Sequence, residues 1–356
     1  MQTPTAEAAV TRVFAALEAE RGPMTLKLET IDPSQNARGW LNKSTSGQMG
    51  PQNADLVLWW DCPIDPSQAN AFATANIPQF AINMSGTRLE PLTRRIRNRQ
   101  ARVALGKMDK VYCATHRAVD LARRLKVSET ALVDSGEIIP TPRAPSCDEA
   151  RFLALSKSLS GRPMWLLAGV TLDELTLLAR AHRQILRRGV RLLMVVVPQK
   201  DLSIKQAERL LKEDSWVTET TLGSDKFSER TEVLLVNEMD PLPLWSRLCS
   251  VSFVGGSLSP QGALNDPLET ALLGSTLIHG PFYGAYTAAF SLLFSARCSC
   301  QVATSNDVIE TVQKVLAPHH AAELAHRAWD LLTSSAEMTD QLVQDIHNAL
   351  DQREAL

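Results

Sequence analysis

The chain has 356 residues, 44% of them apolar, and its 37 basic and 39 acidic side chains leave a formal charge of -2. Single hydrophobic cores stop growing near ~250 to 300 residues, so a chain of this length is expected to build two. A balance this close to neutral excludes a chain-wide attraction to nucleic acid, and any anionic partner has to be met by a local patch.

Residues 6–20 predict a first helix with Val10, Val13, Phe14 and Leu17 on one face. Short runs at 54–60, 79–83, 109–113 and 131–134 are too brief and too rich in β-branched or aromatic residues for helices, and they predict buried strands. Helical patterns at 66–75, 91–104 and 116–126 lie between them, which implies a parallel sheet with helices on both faces. Trp59 and Trp60 are adjacent in one strand and should point to opposite faces, both into core. The alternation stops at 139–147, IPTPRAPSC, whose three prolines suit an interdomain linker.

Beyond it come strands at 163–168, 191–197, 232–236, 250–254, 275–279 and 299–303, with helices at 173–188, 203–213, 241–248, 267–273, 285–295 and 306–316. From residue 320 the chain reads as continuous helix. The expected architecture is α/β: two Rossmann-like, doubly wound domains, 1–143 and 144–356, facing across a cleft, with ligands beyond the carboxyl ends of the strands.

Cys62, Cys113, Cys147, Cys249, Cys298 and Cys300 show no paired CxxC spacing and read as reduced thiols of a cytoplasmic protein. No uninterrupted apolar run approaches the ~20 residues needed to span a bilayer.

Segment 253–290 is the most informative. A strand runs into Gly255, Gly256 and Ser257, where paired glycines can take positive φ and let a ligand approach the backbone. Asn265 and Asp266 are good helix caps, Pro267 suits the first helical position, and Glu269 falls in the first turn. Such a helix start is a place for a phosphate, and an ionised Glu269 can accept from two sugar hydroxyls or simply complement the helix dipole. His279 ends a strand just before Gly280, facing either a cleft or the core.

FVGGSL at 253–258, PLE at 267–269 and then GP at 280–281 resemble the C-terminal half of the Kdo transferases, which add 3-deoxy-D-manno-octulosonic acid from CMP-Kdo to lipid A precursors. Weaker similarity runs through DLVLWWDCPIDPS at 55–67, IPQFAINMSGTRL at 77–89, with Asn83 matching, and VDSGEI at 133–138. The resemblance implies a GT-B-like fold and an inverting, metal-independent glycosyltransferase of lipopolysaccharide biosynthesis. It implies no cofactor beyond the CMP-sugar donor, whose nucleotide would rest on Gly255, Gly256, Ser257, Asn265, Asp266, Glu269 and Gly280.

The chain departs from the family pattern at several points. It reads as lacking the N-terminal membrane anchor, and the motif carrying the catalytic base survives only as TAEAA at 5–9, with Glu7 as the remnant. The acidic loop has become DCPIDPS, which aligns Asp61 with the first Glu and leaves Pro63 at the second. The loop after the first strand of the second half reads AGVTLDE, with Thr171, Asp173 and Glu174 as its polar residues, and Gln199-Lys200 replaces an Arg-His pair. Glu7 and Asp61 are therefore the two expected bases, with Asp65 behind them; each could equally be a cap or turn residue. The alternative is a catalytically impaired paralogue that acts as a binding or regulatory protein in envelope biosynthesis.

Arg88, Arg94, Arg95, Arg97, Arg99, Arg102 and Lys107 crowd one stretch with Glu90 as its only acid. Given the family's lipid acceptor, this region is expected to rest on anionic lipid at the inner membrane, each charge adding ~1 kcal/mol, with a solvated helix face as the plainer reading. Few aromatic residues interleave with these charges, which argues against a nucleic-acid partner.

Overall fold

The computed structural model describes residues 4–22, 24–32, 35–42, 54–90, 98–139, 145–159, 161–222, 225–237 and 240–355. The chain divides into two compact units, Met1–Thr141 with Thr333–Leu356, and Pro142–Leu332. The sequence expectation assigned everything after residue 143 to the second domain. The chain from Thr333 onward belongs instead to the first, because Leu342, Val343, Ile346 and Leu350 join Val10, Val13 and Leu17 in one core.

The first unit opens with helix α1, Pro4–Arg21. A hairpin follows, β1 Thr25–Asp32 and β2 Gln35–Asn42, and then β3 Leu56–Trp60, α2 Pro66–Thr74 and β4 Gln79–Met84. Short α3 Gly86–Leu89, α4 Asn98–Leu105, β5 Lys110–Cys113, α5 His116–Arg124 and β6 Leu132–Asp134 complete the first pass. The sheet order is β1-β2-β3-β4-β5-β6. Strands β3 to β6 are parallel, as their continuous apolar runs imply, whereas β1 and β2 add an antiparallel edge that the sequence reading does not anticipate. Trp59 packs with Phe72, Leu105 and Val119 on one face; Trp60 packs with Leu17 and Ile346 on the other, as their adjacency requires.

The second unit begins with α6 Glu149–Ser158, β7 Met164–Val170, α7 Leu172–Arg187, β8 Leu193–Pro198 and α8 Ile204–Glu213. It continues through β9 Thr218–Thr220, β10 Val233–Leu235, α9 Leu242–Leu248, β11 Val251–Val254 and α10 Pro267–Leu272. Next come β12 Thr276–His279, a 3-10 turn Gly284–Tyr286, α11 Thr287–Ser295, β13 Ser299–Gln301 and α12 Ser305–Val315. Helix α13, Pro318–Glu354, starts in this unit and ends in the first. All seven strands are parallel, in the order β13-β12-β11-β7-β8-β10-β9. The chain leaves β7 toward β8 and later returns to β11 on its other flank, so the topological switch point lies between β7 and β11, where open α/β sheets bind ligands.

Two Rossmann-like α/β units in one chain match the fold class expected from the sequence. Two elements of the second unit are unanticipated. Helix α6 is capped by Asp148 inside the stretch adjoining the linker, and β9 is an edge strand of three polar residues.

Candidate functional site

At the switch point the loops after β7, β11 and β12 interlock through glycine. A Cβ on Gly255 would lie 2.1 Å from the Gly169 carbonyl oxygen, one on Gly256 2.3 Å from that of Gly262, and one on Gly280 2.1 Å from that of Ser257. Gly256, with φ 80°, also requires a left-handed backbone. The expectation that Gly255 and Gly256 leave room for a ligand therefore needs correction: neighbouring protein backbone takes that room, and Gly255, Gly256, Ser257 and Gly280 are all buried. The Ser257 hydroxyl is a tie, donating to the Val254 carbonyl and accepting from the Gly280 amide.

The amides of the glycine turn are also partnered from within. Thr171 and Glu174 form a capping box at the start of α7: Glu174 N–H donates to Thr171 Oγ1 at 3.2 Å, and Thr171 N–H donates to Glu174 Oε2 at 3.1 Å. The same carboxylate reaches across the switch point. Its Oε2 accepts from Gly256 N–H at 2.7 Å and its Oε1 from Leu258 N–H at 2.9 Å, and the residue is only 3% exposed. The sequence reading named Glu174 as polar but gave it no role; the Thr-x-x-Glu spacing signals the cap, and only the tertiary fold reveals the second pair of bonds.

The outer rim is more open. Asn265 donates from Nδ2 to the Ala168 carbonyl at 3.2 Å and fills the space beside Gly169. Asp266 caps α10 by accepting from Leu268 N–H at 2.9 Å. Glu269 is exposed one turn on, and partial desolvation, then the nearby Asp266 charge, holds its carboxyl above the ordinary range. Tyr286 sits close enough that, after desolvation, Asp266 and Glu269 push its phenol upward. Lys200, beyond β8, brings an exposed cation to the same end of the sheet. His279 belongs to the core: it is fully buried, packed on Phe290, and bonded to the Gly280 carbonyl and Ser299.

In the first unit, Asp61, just beyond β3, and Asn83, next to last in the adjacent β4, have left-handed φ of 43° and 54°, a conformation Asp and Asn tolerate better than most residues. The Asn83 side chain ties down the segment after β6, accepting from Ile138 N–H at 2.8 Å and donating to the Ile138 carbonyl at 2.7 Å. Asp61 receives Arg88 Nε at 3.1 Å, yet desolvation outweighs the arginine and lifts its carboxyl above the ordinary range. Glu137, unmarked in the sequence reading, is raised by desolvation and then by the charge of Asp61. Asp65 has the cap role, accepting from Ser67 N–H at 2.8 Å. Glu7 falls in the first turn of α1, and its side chain lies outside the described ones.

The basic stretch is not one helix face. Arg88 sits on α3 and turns to Asp61, Glu90 pairs with Arg117 at 3.0 Å, and Arg94, Arg95 and Arg97 lie outside the described residues. Arg99, Arg102 and Lys107 are exposed on or just after α4. Among the described residues no helix is long and apolar enough to cross a membrane.

No family model matches the chain. Over 155 residues, 44% of its length, it is 26% identical to the 3-deoxy-D-manno-octulosonic acid transferase of Haemophilus influenzae, and it spans 36% of that relative. Among solved structures it is similar to the C-terminal CMP-Kdo binding domain of WaaA from Acinetobacter baumannii, at 23% identity and TM-score 0.48, covering 52% of this chain and 99% of that one. It is also similar to Anabaena HepE in complex with UDP, at 11% identity and TM-score 0.38, covering 83% and 79%. The Kdo transferase-like character read from the sequence is thus borne out over part of the chain.

Proposed function

We propose that the protein is a glycosyltransferase of the Kdo transferase type, moving Kdo from CMP-Kdo to a lipid A precursor. The observation that carries this reading is that the segment resembling the family, 253–281, folds into the loops at the switch point of the second unit. There the donor nucleotide rests on the rim. Its phosphate lies on the open rim outside the buried turn, near Lys200 and Asn265, and its ribose hydroxyls bond to Glu269 beside Asp266 and Tyr286. Inverting transfer needs a carboxylate to take the acceptor proton, a contribution of roughly 100- to 10,000-fold. Asp61, poised by desolvation to hold a proton more firmly than an ordinary aspartate, fills that role in the first unit, with Glu7 as the second choice. The anionic acceptor is met by Arg99, Arg102 and Lys107, which also give a peripheral contact with the inner membrane.

Calorimetry with CMP tests the donor site. Millimolar or tighter binding is expected, weakened roughly ten- to a hundredfold by Glu269→Ala, since hydrogen bonds to a charged group carry about 1.5 to 3 kcal/mol. No binding, or binding untouched by that change, overturns the donor site. The replacement of the family's second acid by Pro63 favours the non-catalytic paralogue as a second reading. Turnover of CMP-Kdo with a lipid A precursor in detergent, lost in Asp61→Asn or Glu7→Gln, dismisses it.

A further inference from the structure

The Glu174 carboxylate has three backbone N–H donors, two of them, Gly256 and Leu258, from the glycine turn at the switch point. A turn presenting closely spaced amides at the carboxyl end of a parallel sheet is the kind of concavity that elsewhere holds an anion. Here the chain supplies the anion itself, from a side chain that is 3% exposed and anchored by its own capping box. The glycine turn is also sterically committed. Gly255 leaves no space between the turn and Gly169, and Gly256 none between the turn and Gly262, so the turn cannot slide outward without opening the loop interlock.

We propose that Glu174 is a specificity-determining residue that fills the anion cradle of the glycine turn, so that a nucleotide bound at the rim can place one phosphate beside the turn but not a second one in it. The site then takes nucleoside monophosphate sugars and rejects nucleoside diphosphate sugars. A second phosphate would have to displace a buried carboxylate from its amide donors or approach it at close range, and like charges at that distance are strongly unfavourable. The inference rests on the donor site proposed above, and it assigns to one residue the choice between two classes of donor.

The test is calorimetry with CMP and CDP on the full chain, as wild type, Glu174→Gln and Glu174→Asp. Wild type should bind CMP at least roughly tenfold more tightly than CDP. In Glu174→Gln, where the charge is gone, that ratio should shift toward CDP by about tenfold, while Glu174→Asp, which keeps the charge, should retain most of the preference. Wild type binding CDP as tightly as CMP overturns the proposal even if neither variant folds, and so does an unchanged ratio in Glu174→Gln. If wild type binds neither nucleotide, the donor site itself has failed. Inorganic phosphate then decides the role of Glu174: millimolar binding gained by Glu174→Ala and absent in wild type upholds a pre-filled cradle, and no gain overturns it.

Discussion

Arg88 donates from Nε to Asp61 Oδ1 at 3.1 Å, yet the carboxyl it faces holds its proton more firmly than an ordinary aspartate. Desolvation at the end of β3 is the larger influence and the arginine only offsets part of it. The residue is also held at φ 43°, where a side chain costs backbone energy. Unfavourable placement of this kind marks positions retained for chemistry more often than for stability.

A stability prediction follows with a definite sign. Because the folded state raises the pKa of Asp61, it binds more protons than the unfolded chain above the ordinary carboxylate value. Stability therefore falls as pH rises through that window, and the ionised form at pH 7 is the destabilised one. Asp61→Asn, which keeps the shape and suits the left-handed backbone, should match or exceed wild type in Tm at pH 7, with its advantage shrinking toward pH 3. The same variant should lose roughly 100-fold or more in turnover. Thermal unfolding across pH, paired with the transfer assay, checks both; an advantage that grows on acidification contradicts the sign.

The second prediction separates two kinds of glycine. Gly161 has φ 81° and nothing within 4 Å of a Cβ, so Gly161→Ala meets only the left-handed backbone cost of about 1 to 2 kcal/mol. Gly255→Ala would drive a methyl into the Gly169 carbonyl and force the loop interlock apart. Overpacking of this sort costs about 1 to 3 kcal/mol where side chains can yield, and more here because the obstacle is backbone. Gly255→Ala should therefore lower Tm clearly more than Gly161→Ala and also weaken CMP binding. Equal effects of the two changes on Tm would mean that the turn has slack.

These positions also show what the sequence could disclose. The parallel strands were legible because strands buried on both faces need unbroken apolar runs, as in LVLWW and MWLLAGV. The hairpin of β1 and β2 was not, because antiparallel edge strands lack that requirement and QNARGWLN is mostly polar. The glycine turn announced itself through Gly255-Gly256, but whether ligand or protein approaches that backbone depends on Gly169, 86 positions away, and Gly262. Glu174 was legible as a helix cap three residues after Thr171; its bonds to Gly256 and Leu258 join segments far apart in sequence, and no local pattern encodes them. Glu137 lay within the quoted VDSGEI but was not singled out, because its raised pKa comes first from burial and then from the charge of Asp61, and both are set by the tertiary fold.

The last prediction concerns acid stability and the core of the second unit. His182 on α7 is fully buried, receives Trp165 Nε1–H at Nδ1 over 3.3 Å, and stacks on Trp216 with ring centroids 5.5 Å apart. Burial, the dominant cause, brings its pKa down to about 3 from an ordinary value of 6.5. The unfolded chain therefore binds one more proton than the folded one between those values, and stability drops as pH falls from 6.5 toward 3. His182→Gln retains an acceptor for the Trp165 N–H but cannot titrate. It should lose stability at pH 7, by about 1 to 3 kcal/mol from imperfect packing and bonding, and show a shallower decline on acidification. Denaturant unfolding at pH 7, 6, 5 and 4 measures both slopes, and the difference at pH 5 should approach one proton taken up on unfolding. Parallel slopes would show that the imidazole already carries its charge in the folded protein, although among the described residues its one bond favouring that charge, to the Glu232 carbonyl, is outweighed by burial between Trp165 and Trp216.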